Sequence, residues 1–170
     1  MPKAFVTLAA CCLVFAAFVL TGALVAHAAE VIKAGLVACP KDGTSIGGVN
    51  SCGKIWRIKS GNAQLTSDGM LKVEVKGLVL NDTTVPADVN GTADGVTEVV
   101  ASLVCSRGSA SSVAAESGRA PLSKSGQADI NATLALPRNC IAPILLIREI
   151  WEGKIGGWLA ATGFESSAGR

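Results

Sequence analysis

From residue 29 onward the apolar residues recur with a period of two and are interrupted at short intervals by turn-forming pairs. Residues 70–80 (MLKVEVKGLVL) are the clearest case, with Leu71, Val73 and Val75 alternating against Lys72, Glu74 and Lys76. That is the signature of a strand with one buried and one wet face. Asp68-Gly69 just before it is the dipeptide a type I′ turn favours, which predicts a hairpin with residues 55–66. In that hairpin Arg57 and Lys59 would share a face, and Glu74 would oppose them. Residues 127–136 alternate as well, setting Ala128, Ile130, Ala132, Leu134 and Leu136 behind Asp129, Asn131 and Thr133. Pro137 ends that run because it has no backbone N–H to give to a ladder.

Residues 96–105 and 141–150 are rich in branched side chains and alternate weakly, which predicts central strands covered on both faces. Pro143 puts a bulge or an edge at the start of the second. Residues 111–116 and 158–164 bring the total to about seven strands, without an amphipathic helix. The expected fold is all-β, an antiparallel β-sandwich forming one domain over residues 29–170.

Residues 1–28 depart from this pattern. Residues 4–26 run for 23 positions without a charge behind Lys3, and Ala26-His27-Ala28 offers the small residues a signal peptidase reads. An apolar signal helix over residues 1–28, cleaved before Ala29, is the expectation. The same stretch is long enough to span a bilayer, so an uncleaved anchor is the alternative and the one route to a membrane. Either way residues 29–170 are expected to be exported, as a secreted, periplasmic or cell-surface domain.

Composition sharpens the picture once that segment is set aside. The chain is 49% apolar and 16% charged, but residues 1–28 hold three of the four Phe and the only His. Removing Lys3 leaves 14 of the 15 basic residues against 13 acidic ones. Near-neutral charge without a basic block argues against nucleic acid as a partner. Residues 29–170 contain neither His nor Tyr, so a Ser-His-Asp or Cys-His centre and a His-ligated metal or haem are excluded there.

Cys39, Cys52, Cys105 and Cys140 are an even set in an exported chain and predict two disulfides. Three pairings are open. Cys39 with Cys52 and Cys105 with Cys140 is the favoured one, since each closes a modest loop beside a strand or a turn. The spacings contain no C-x-x-C, which sets a zinc or redox role aside.

Candidate chemistry concentrates in residues 81–95 (NDTTVPADVNGTADG), a connection long for a hairpin. Asp82, Asp88, Asn90 and Asp94, with Glu98 beyond, supply the hard oxygen ligands calcium takes, although the helix-loop-helix calcium spacing is not met. Calcium is the only cofactor these residues suggest. Asn81, Asn90 and Asn131 each open an N-x-T triplet. Of the three Trp, Trp56 and Trp158 read as core. Trp151 is open between the core and, because Glu149 and Glu152 flank it, a rim position from which it could stack on a sugar. Ser51-Cys52-Gly53-Lys54 spells the S-x-x-K of some penicillin-recognising enzymes, without the companion motifs. The functional expectation is therefore an exported, non-enzymatic binding or structural domain, with a carbohydrate or a surface protein as partner. A small extracellular carboxylate-dependent hydrolase of glycosidase type is the alternative.

Overall fold

The computed structural model of the chain describes residues 28–40, 43–93, 95–107 and 110–163. Of the expected signal segment only Ala28 falls within them. Among the described residues there is no helix, and every strand pairing is antiparallel. Nine strands form one sheet path: β1 (Glu30–Ala38), β5 (Ser60–Thr66), β6 (Met70–Lys76), β8 (Glu98–Arg107), β9 (Ala110–Glu116), β10 (Ala120–Pro121), β11 (Ala128–Thr133), β12 (Ile141–Trp151) and β13 (Lys154–Thr162). Two short ribbons lie beside it, β2 (Ser45–Ile46) with β3 (Val49–Asn50), and β4 (Trp56–Arg57) with β7 (Val79–Leu80).

The path runs β10-β8-β12-β13-β1-β5-β6-β11, with β9 beside β8. β1 joins its two halves by changing partner along its length. Glu30 and Ile32 to Gly35 pair with β5, whereas Leu36, Val37 and Ala38 pair with β13. The far ends of the path also meet, because β11 packs against β10 and β8. There the connection carries its own ties, from Leu78 N–H to the Gly126 carbonyl (3.0 Å) and from Ala93 N–H to the Lys124 carbonyl (2.9 Å). One apolar cluster fills the interior, to which β5 and β6 give Leu65, Val73 and Val75, and β8, β12 and β13 give Leu103, Leu145, Ile147 and Leu159.

The alternating segments form strands, but shorter ones than expected: residues 70–80 divide at Gly77 (φ +67°) into β6 and β7, and residues 127–136 are strand only from Ala128 to Thr133, four residues before Pro137. β6 and β11 pair in register from Met70 with Thr133 to Val75 with Ala128, burying Leu71, Val73, Val75 and Ile130. β8 lies between β12 and the β9–β10 edge, and Val99 to Cys105 are all buried. In β12 the register shifts between Ile141 and Ile144, and Ala142 takes φ +47° next to Pro143, which is the bulge the proline demands. Outside the core, Arg148 of β12 donates to Glu116 of β9 (2.8 Å), and the buried Ser102 hydroxyl donates to the same Glu116 oxygen (3.0 Å).

Three further expectations are corrected. The turn between β5 and β6 is not type I′: Leu65 faces Leu71, so residues 67–69 form a three-residue loop. Gly69 N–H closes a turn onto the Thr66 carbonyl (2.9 Å), and Gly69 alone takes positive φ, at +89°. A type I turn followed by a left-handed glycine gives that geometry. Asp68 caps it, and the Thr66 hydroxyl followed by the Met70 N–H holds its carboxyl below the usual range. The type I′ geometry is found instead at Glu152-Gly153, both at positive φ, where Trp151 faces Lys154. Second, Glu74 faces Asn62 and Asp129 rather than Arg57 and Lys59, because Arg57 belongs to the separate ribbon and pairs with Val79. Third, β1 has no counterpart among the expected strands, and β13 begins at Lys154 rather than at Trp158.

Both favoured disulfides form, Cys39 with Cys52 and Cys105 with Cys140. The first fastens the end of β1 to the loop before β4, and both its cysteines donate backbone hydrogen bonds to β13, at Leu159 and Trp158. The second ties β8 to the start of β12. Replacing Cys39 and Cys52 together by Ser is expected to cost about 3 kcal/mol through the freed unfolded chain, read as a lower urea midpoint under non-reducing conditions.

Candidate functional site

Along β12 the row Leu145, Ile147, Glu149, Trp151 runs out of the core toward the surface. Leu145 and Ile147 are fully buried, Glu149 is half-buried, and Trp151 is 51% exposed. Trp56 and Trp158, at 6% and 4%, fill the interior. Where this row emerges there is an open groove of about 360 Å³. Core residues Trp56, Leu80 and Val96, with Val85 from the long loop, supply its apolar lining, and Lys54 and Glu149 its charges.

Local chemistry fixes each wall. The tight Glu152-Gly153 turn ends β12 at Trp151, so the indole sits on the last residue of a paired strand. Gly95 backs the ring: it takes φ +81°, and a Cβ there would lie 2.7 Å from the indole Cζ3. Trp151 is thus a platform with one supported side, rather than a side chain free to sweep through solvent. Glu149 is held by its neighbour strand, its Oε1 accepting from Gly157 N–H (3.3 Å). Gly156 leaves the room, since a Cβ there would stand 2.8 Å from the Glu149 Cγ. Burial pushes the Glu149 carboxyl above the usual range, and the Gly157 hydrogen bond only partly opposes this.

The opposite wall is organised by Asp82, which is 2% exposed. Its Oδ1 accepts from the Thr84 N–H (2.9 Å) and hydroxyl (2.6 Å), and its Oδ2 accepts from Ile55 N–H (3.3 Å). The Asp82 N–H in turn donates to Asn90 Oδ1 (3.2 Å). A buried carboxylate requires such partners, and here they strap residues 81–92 to the segment that carries Lys54 and Trp56. Lys54 Nζ then lies 3.5 Å from the Thr84 hydroxyl, at the groove's rim.

The expected calcium ligands are distributed differently from a cage. Asp82 and Asn90 meet each other, Asp88 is exposed, and Glu98 pairs with Arg119 at 3.4 Å. Asp94 lies outside the described residues. Among the described residues no three His, Cys, Asp or Glu side chains gather as a metal site. Of the N-x-T asparagines, Asn81 and Asn131 are exposed, and Asn90 is engaged by Asp82. Ser51 bridges to Trp158 beside the disulfide. Sequence reasoning singled out Trp151 but missed that Glu149 shares its face. The signal was there, because residues two apart on a strand point to the same side.

The raised Glu149 carboxyl makes a pH prediction. The folded state holds this proton more tightly than the unfolded chain, so its contribution to stability is present at acid pH and is lost as pH rises from about the unfolded value of 4.5 through the raised folded value. Glu149→Gln keeps the acceptor for Gly157 and removes the charge. Its melting temperature relative to wild type is therefore expected to rise between pH 4 and pH 7, and a difference constant with pH would refute the assignment. No protein-family model, no curated protein and no solved structure matches this chain.

Proposed function

We propose that the chain is an exported binding domain that receives a sugar ring, or a ligand of similar flat polar shape, in the groove beside Trp151. The single observation carrying this reading is an indole fixed half-exposed at the mouth of the core, two residues from a carboxylate and across from an ammonium. Aromatic faces take the apolar face of a pyranose, while a carboxylate and an ammonium address its hydroxyls. Two intramolecular disulfides suit an oxidising compartment, which supports export. The single core shared by the two halves of the sheet path supports reading them as the layers of a sandwich, with the groove at one open end.

The raised carboxyl of Glu149 favours one other reading, a carboxylate-dependent hydrolase. Hydrolysis of a glycoside would call for a second carboxylate facing it, and Glu149 is the one carboxylate among the described lining residues.

All three Trp contribute to intrinsic fluorescence, and two of them, Trp151 and Trp56, line the groove, so a bound ring is expected to alter the emission and Trp151→Ala to isolate the part due to Trp151. Titrating the exported chain with mono- and oligosaccharides is expected to shift its emission, and Trp151→Ala to weaken binding by about tenfold or more. A panel that leaves emission unchanged would defeat the proposal. Release of sugar from glycosides, abolished in Glu149→Gln, would decide for the hydrolase.

A further inference from the structure

We infer that the outward face of β5, β6 and β11 is a second binding surface, built for an extended, uncharged polysaccharide chain. The inference is independent of the groove at Trp151. It rests on the register of the three strands. Their inward residues, such as Ala63, Leu65, Val73 and Ile130, belong to the core. The outward ones fall into rows: Asn62, Glu74 and Asp129 face one another across the strands, and Gln64, Lys72 and Asn131 form the next row. Beyond them Met70 faces Thr133 beside Thr66 at the hairpin end.

This face is not flat. It carries three depressions of about 50, 120 and 600 Å³, and they are contiguous. The smallest shares Asn62 and Glu74 with the second, and Gln64 and Lys72 with the largest. Together they make a furrow from Ser60 and Lys76 to Thr66 and Thr133, and a seven-residue strand is about 20 Å long.

The chemistry of the furrow selects the ligand. Three amides offer both donors and acceptors, and the Thr hydroxyls add the same dual capacity. Charge on the face is balanced, since Lys72 and Lys76 stand against Glu74 in the furrow and Asp129 beside it, and Lys72 pairs with Glu74 at 3.3 Å. A face without net charge gives little hold to a polyanion such as nucleic acid. Met70, at 63% exposure, is the single large apolar side chain on the face, which leaves no hydrophobic centre for a protein partner. A chain of sugar rings is the ligand class that offers hydroxyls of both senses at every step along such a length.

The experiment is affinity electrophoresis of the exported chain through gels containing hydroxyethyl cellulose, xylan, laminarin or galactomannan, with polygalacturonate as the polyanionic comparison. At least one neutral polysaccharide is expected to retard wild type. Gln64→Ala with Asn131→Ala is expected to reduce that retardation about tenfold without changing the melting temperature, and Trp151→Ala is expected to leave a clear residue of it. No retardation in any neutral gel, retardation by polygalacturonate alone, or an unchanged Gln64/Asn131 variant would each overturn the inference. Abolition by Trp151→Ala alone would assign binding to the groove and refute the second surface. Loss in the Gln64/Asn131 variant alone would uphold the second surface and count against the groove.

Discussion

The structure depends on the change of partner within β1. Buried backbone groups need partners along the length of a strand. Neither neighbour spans β1 alone: β5 pairs with its N-terminal part and β13 with its C-terminal part. The handover occurs at Gly35 and Leu36, where a Cβ on Gly35 would come within 3.5 Å of the Gly163 carbonyl and 3.8 Å of the Gly61 carbonyl. Without β1, β5 and β13 would each expose an unpaired edge, and edges of that kind pair with other chains. The Cys39–Cys52 bond sits at the end of this strand and secures the handover covalently.

The groove follows from the same arrangement. A core enclosed by a sheet path that bends back on itself is open at its ends, and there the inward rows of the strands reach solvent. At one such end the inward row of β12 changes from Leu145 and Ile147 to Glu149 and Trp151. Burying Asp82 beside it would be costly alone, but its hydrogen bonds to Thr84 and Ile55 turn that cost into a strap for the long loop. The loop that sequence composition marks for metal binding thus spends the buried Asp82 carboxylate on hydrogen bonds from Thr84 and Ile55.

What was legible in the sequence was whatever is local. β6, β11 and β8 follow from alternation, or from its weakening where both faces are covered. The disulfide pairing follows from parity and loop size. β1 was not legible: Ala34-Gly35 dilutes its apolar signal, and its role depends on two partners far apart in the chain. The type I′ turn was misplaced because Asp68-Gly69 also suits a three-residue loop, whereas Glu152-Gly153 does not advertise a left-handed glutamate. For Trp151 the flanking acids left core and rim both open, while its backing by Gly95 and the rows of Asn62, Gln64 and Asn131 exist only once register is known.

The two parts of β1 also differ in when they can be satisfied. Residues facing β5 meet partners about thirty positions downstream, and Cys39 meets Cys52 sooner still. Leu36, by contrast, pairs with Thr162, which lies about four times as far along the chain. Closing so long a segment carries a larger entropic cost, and a chain delivered from its N-terminus presents β13 last. The β1–β5 pairing is thus the short-range half of the strand and the β1–β13 pairing the long-range half, so the C-terminal part of β1 is held only when the two ends of the domain come together.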